Sequence, residues 1–171
     1  TAQEEAKSAT TGRGAFPQSY LPTKTIDKDE TITIDGVRVR LLHWAPGCTD
    51  GDMVAYFPDQ KVVFTGNLVV NDFPLAATAI DGPLHGSVAG WMEDVRGLLA
   101  LSADIYVSGH GPLFTKRDVR TKLAFIQDKW DKIKVMVAQG KSLDEIKAAI
   151  GGPPERTPST TENIYAELTT K

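Results

Sequence analysis

A single cysteine in 171 residues excludes an internal disulfide, so the fold rests on its core and either redox compartment is open. Excess positive charge is missing too. Nineteen Lys and Arg against 22 Asp and Glu leave a net charge of −3, which argues against a nucleic-acid or anionic-membrane partner. No apolar run approaches the length that spans a bilayer. The amino end is polar and charged rather than apolar like a secretory leader, and the compartment, cytoplasmic or periplasmic, is not readable from it. Repeats and low-complexity tracts are lacking. What is present is ordinary globular material, 41% hydrophobic and 24% charged, long enough to bury a core.

Residues 1–22 have little apolar periodicity and read as a flexible or partner-dependent arm, with the ordered domain over 23–171. Thr31 to Ile34 and Val37 to Arg40 alternate around Asp35-Gly36, a two-residue hairpin signal, and the second strand runs on towards His43. Met53 to Phe57 and Lys61 to Thr65 form a further pair across Pro58-Asp59-Gln60. The stretch from Asn71 to Gly86 reads as a long loop of the kind that carries function. Ser87 then caps a helix with Trp91, Val95, Leu98 and Leu99 on one face. Ile105-Tyr106-Val107 is a short strand.

Thr115 with Asp118 opens a long helix striped by Val119, Leu123, Ile126, Trp130, Ile133 and Val137. Ser142 to Glu145 starts a short helix stopped by Gly151-Gly152-Pro153-Pro154, and Glu162 to Leu168 forms a last one. This order predicts an α/β unit: a mixed, largely antiparallel sheet with helices on one face. The other face, expected to carry Val39, Leu41, Val54, Tyr56, Val62 and Phe64, then needs cover from a partner layer or a second copy.

Three stations follow one another at strand ends: Pro46-Gly47-Cys48-Thr49-Asp50-Gly51-Asp52, Gly66-Asn67-Leu68, and Ser108-Gly109-His110-Gly111-Pro112. In order and spacing they resemble the PGHTxGD, GD and GHG motifs in the second half of metallo-β-lactamase-fold hydrolases, nearest in style to the glyoxalase-like and quinoprotein-associated branches. Leu41-Leu42-His43, Tyr56-Phe57-Pro58 and Gly86-Ser87 ahead of Trp91 agree with this. The first-half motif HxHxDH is absent. The resemblance implies the carboxy-terminal half of an αβ/βα sandwich with metals held between the sheet edges. The stations should supply a histidine, a bridging aspartate and a histidine.

Here those positions read Cys48, Asn67 and His110. His110, between glycines, and Cys48, whose thiolate is a competent zinc ligand, are the candidate metal ligands. Asp50, Asp52 and Asn67 are expected to line the cleft, Asp52 by bonding the backbone. Asn67 lacks the charge that a bridging carboxylate supplies. Zinc and no cofactor at all both remain open, and no catalytic residue is assignable. His43 and His85 are not spaced as ligands with His110.

The expected function is a half-domain with a degenerate metal site. It would complete its sandwich with an amino-terminal half, separate or cleaved, or as a homodimer, and would not be catalytic alone. The alternative is a subunit or fragment of a zinc-dependent hydrolase of thioesters, lactones or β-lactams.

Overall fold

The computed structural model describes residues 24–26, 28–70, 80, 84–151 and 158–170. The expected arm over 1–22 and most of the 71–86 loop lie outside them. Five strands form one sheet in sequence order: β1 (Glu30–Ile34), β2 (Val37–Leu42), β3 (Val54–Phe57), β4 (Val62–Gly66) and β5 (Ile105–Ser108). The first four make an antiparallel meander, and β5 joins β4 in parallel. The β1–β2 turn places Asp35 at φ 48° and Gly36 at φ 80°, the double positive φ that a two-residue hairpin demands.

Four helices follow among the described residues: α1 (Val88–Ala100), α2 (Lys116–Ala138), α3 (Leu143–Ile150) and α4 (Thr160–Thr169). Each begins at a Ser or Thr whose side-chain oxygen accepts a first-turn amide, and α2, α3 and α4 have full capping boxes. The last helix thus starts earlier than Glu162, because Ser159 and Glu162 cap one another. No described helix is long and apolar enough to cross a membrane.

The helices lie on one sheet face. Leu42, Val54, Tyr56, Val63 and Tyr106 from the strands pack with Trp91, Val95 and Leu98 of α1. Val119, Ile126 and Ile133 of α2, Ile146 of α3 and Ile164 of α4 complete this core. The buried line of α2 also carries Lys122 and Lys129, each 6% exposed, while Leu123, Trp130 and Val137 are only partly buried.

The expectation for the opposite face needs correction. Leu42 pairs with Val54 and Arg40 with Tyr56, so Val54 and Tyr56 face the helices, and the Tyr56 hydroxyl donates to the Ser102 carbonyl at 3.1 Å. The loop between β2 and β3 resets the alternation, which a linear count cannot foresee. The face turned from the helices instead carries Val39, Leu41, Ala55, Phe57, Val62, Phe64, Ile105 and Val107. On it Phe64 is 43% and Ile105 42% exposed.

One long-range cap ties the carboxy-terminal helix to α1. The Glu167 carboxylate accepts from the Val88 amide at 2.5 Å and the Ala89 amide at 3.1 Å, satisfying first-turn donors that α1 cannot pair internally. Glu167→Ala is expected to cost about 1 kcal/mol, as loss of a good cap does. Urea denaturation checks it; an unchanged midpoint would show the amides equally content with water.

Candidate functional site

The three stations converge at one end of the sheet. The Cys48 thiol donates to the Asn67 carbonyl at 3.4 Å, joining the first station to the second. The Gly109 amide donates to the Gly66 carbonyl at 2.8 Å, joining the second to the third. A Cβ on Gly109 would stand 3.0 Å from Asn67 Oδ1, so the third turn lies directly against that side chain. Cys48 is buried, whereas Asn67 and His110 are exposed.

The first loop is organised by Asp52. Its Oδ2 accepts from the Cys48 amide at 2.6 Å and the Thr49 amide at 3.3 Å, and its Oδ1 accepts from the Thr49 hydroxyl at 3.1 Å. Three donors converge on one carboxylate, which fixes the loop without any ligand. Asp50 is exposed, and its amide donates to the Leu84 carbonyl at 2.9 Å. His43 supports the same loop from the end of β2. Its Nδ1 lies 2.8 Å from the Asp52 carbonyl, which can only accept, so Nδ1 carries the proton. His85 is exposed at φ 58°.

Close packing against the start of α1 completes the frame. The Ser87 amide donates to the Gly47 carbonyl at 2.9 Å. A Cβ on Gly86 would lie 2.0 Å from the Cys48 carbonyl oxygen, and one on Gly90 1.9 Å from that of Pro46. Both glycines are therefore required for backbone-to-backbone approach. Trp91 Nε1 donates to the Leu68 carbonyl at 2.6 Å, so α1 also holds the second station.

Asp94 has a role that the sequence reading did not assign. It is 2% exposed on α1; its Oδ1 accepts from the Ala45 amide at 2.9 Å, and no described residue pairs with its Oδ2. Burial is the largest cause pushing its carboxyl from the ordinary 3.8 up to about 7; Asp52 and Glu93 add to the rise, and the Ala45 amide and His43 oppose it. The signal was present, because Asp94 interrupts the apolar positions Trp91, Val95 and Leu98.

Among the described residues, the three stations do not by themselves form the metal centre that the motif order implies. With no metal beside it, burial, then the Asp52 and Asp94 charges, push the Cys48 thiol far above its ordinary value, and the thiol donates to the Asn67 carbonyl. Asn67 presents a neutral amide, leaving His110 as the conventional ligand. No group of three or more His, Cys, Asp or Glu side chains placed to hold a metal ion occurs among the described residues.

A family model described as the metallo-beta-lactamase superfamily matches residues 2–110. The 2,4-dinitroanisole O-demethylase subunit alpha of Nocardioides sp. (strain JS1661) is 27% identical over 92 residues, which are 51% of this chain and 25% of that protein. Among solved structures, a metallo-beta-lactamase from Pontibacter korlensis superposes with a TM-score of 0.57 at 22% identity, covering 74% of this chain and 56% of its own. The inverting sec-alkylsulfatase Pisa1 from Pseudomonas sp. gives a TM-score of 0.62 at 20% identity, over 87% of this chain and 27% of its own. A metallo-beta-lactamase family protein from Thermus thermophilus gives 0.57 at 16% identity, over 98% and 57%. These structural likenesses establish the fold. The chain spans a quarter of the curated relative and 27% to 57% of these three structures.

Gly90→Ala tests the frame. Helix propensity alone would favour alanine by about 1 kcal/mol. Contact with the Pro46 carbonyl should reverse the sign, to a net loss of roughly 1–3 kcal/mol in chemical denaturation. A stabilised variant would mean that the loop is not seated on α1.

Proposed function

Because the chain belongs to the metallo-beta-lactamase superfamily, we propose that it serves as a carboxy-terminal half of that fold with a degenerate metal cleft. It acts as a structural or binding unit that completes a sandwich with an amino-terminal half or a second copy, and it is not catalytic by itself. The observation that carries this reading is the bonding of the first two stations to each other. The Cys48 thiol donates a hydrogen bond to the Asn67 carbonyl, and the carboxylate that belongs between two metals is an amide. The apolar sheet face around Phe64 and Ile105 supports the second layer, since half-exposed aromatic and β-branched side chains gain about 25 cal/mol per Å² on being covered.

A second reading keeps the chain within an enzyme, as a subunit or fragment of a zinc-dependent hydrolase of thioesters, lactones or β-lactams. It is favoured by the exposed imidazole of His110 on a glycine-flanked turn, and by the curated relative being an enzyme subunit. Zinc would then depend on ligands from the other half.

Elemental analysis of the full chain, loaded with zinc and desalted, separates the two. Occupancy far below one metal per chain is expected, with a melting temperature indifferent to chelator. Near-stoichiometric zinc that disappears in His110→Ala would favour the hydrolase reading. For the missing layer, Phe64→Lys with Ile105→Lys should preserve helical circular dichroism and abolish assembly in light scattering. Unaltered assembly would remove this face from the interface.

A further inference from the structure

The Asp94 and Asp52 carboxyl groups both abut Gly47. A Cβ built on that glycine would be 2.4 Å from Asp94 Oδ2 and 2.9 Å from Asp52 Oδ2, so the two carboxyl groups converge on one point of the loop backbone. Their tasks differ. Asp52 is partly exposed and gathers the Cys48 and Thr49 donors, an arrangement that suits an ionised carboxylate. Asp94 is enclosed by the core, receives one amide, and offers Oδ2 no described donor. A negative charge there would be buried with one hydrogen bond, beside another negative charge.

We propose that Asp94 is a proton-operated latch on the Cys48 loop: uncharged, it lets the loop close over α1, and on releasing its proton to solvent it drives the loop away and uncovers Cys48. Opening relieves both penalties at once. It admits water to Oδ2 and lengthens the separation from Asp52. Opening has to break the bonds that seat the loop, from the Ser87 amide to the Gly47 carbonyl and from the Asp50 amide to the Leu84 carbonyl, and the two penalties on the Asp94 charge are what oppose them. The groups acting on Asp94 are Asp52 and His43 from the segment after β2 and Glu93 on its own helix. Across Gly47, Cys48 is a neutral thiol that feels the Asp94 charge when it forms.

The sign follows from proton binding. The carboxyl moves from 3.8 to about 7 in the fold, so the closed state holds a proton that the open chain has released. Closure is strongest below about pH 4 and weakens as pH rises through about 7, where the proton is lost. The device is a property of the metal-free chain and is tested there, apart from the zinc reading in which Cys48 is a candidate ligand.

Two measurements on the full chain decide it. In wild type, the Asp94 carboxyl carbon followed by NMR should titrate near pH 7, with the Gly47, Cys48 and Thr49 amides moving at the same midpoint. In parallel, Cys48 modification by an aromatic disulfide is timed in wild type and in Asp94→Asn; their ratio removes the thiol's pH dependence except for the effect of the Asp94 charge, which raises the thiol and so works only against a rise in the ratio. That ratio should rise by about tenfold between about pH 6 and about pH 8. An Asp94 that ionises in the ordinary carboxylate range, loop amides that do not follow it, or a flat ratio would each overturn the proposal. If Asp94→Asn does not fold, the wild-type titration decides alone.

Discussion

The seating of the Pro46–Asp52 loop on the first turn of α1 is the constraint on which the rest of this structure depends. It joins a sheet edge to a helix by backbone contact, and backbone contact tolerates no side chain between. Gly86 and Gly90 supply that closeness on the helix side, while Gly47 on the loop side leaves room for the Asp94, Leu68 and Asp52 side chains. Once the loop is seated, Trp91 reaches the Leu68 carbonyl, and the second station is fixed relative to the first. The third follows through Gly109 and Gly66. Glu167 then secures the same turn from the far end of the chain, so the site's geometry is tied to the last helix.

Electrostatics divides this region into two carboxylates with opposite environments. Asp52 gathers the Cys48 and Thr49 donors, and its carboxylate assembles the loop. Asp94 has too few, and its burial makes the charge expensive. The same burial keeps the Cys48 thiol protonated, and the two carboxyl groups reinforce that effect. A metal cleft requires donor atoms facing an open centre. The Asp52 carboxylate here faces backbone amides, and the Cys48 sulfur faces a carbonyl.

Local signals in the sequence were the readable ones. The Asp35-Gly36 hairpin and the Ser87, Thr115 and Ser142 caps are each specified within a few residues and stand as expected, whereas the α2 stripe is buried at Val119, Ile126 and Ile133 and shares its buried line with Lys122 and Lys129. The Ser159–Glu162 box was equally local but was overlooked in favour of the apolar positions that follow it. Strand alternation carried the reading only until the β2–β3 loop, whose internal geometry decides on which face Val54 reappears. Glu167 and Asp94 were out of reach as partners because their bonds run to Val88, Ala89 and Ala45, far away in sequence. Only the misfit of Asp94 within an apolar stripe was visible in advance.

The persistence of the motif spacing alongside altered ligand positions has a physical explanation in which atoms do the holding. Cys48 is fixed through its amide, given to Asp52, and the second station receives the thiol through the main-chain carbonyl of Asn67. His110 is tied by its amide to Ser108 Oγ at 3.1 Å. None of these bonds requires a histidine at position 48 or an aspartate at position 67. The frame reads backbone groups, glycines and Asp52, whereas metal chemistry reads side chains. A frame of this kind survives replacement of its ligands, and for that reason its presence identifies the fold far more strongly than it identifies a reaction.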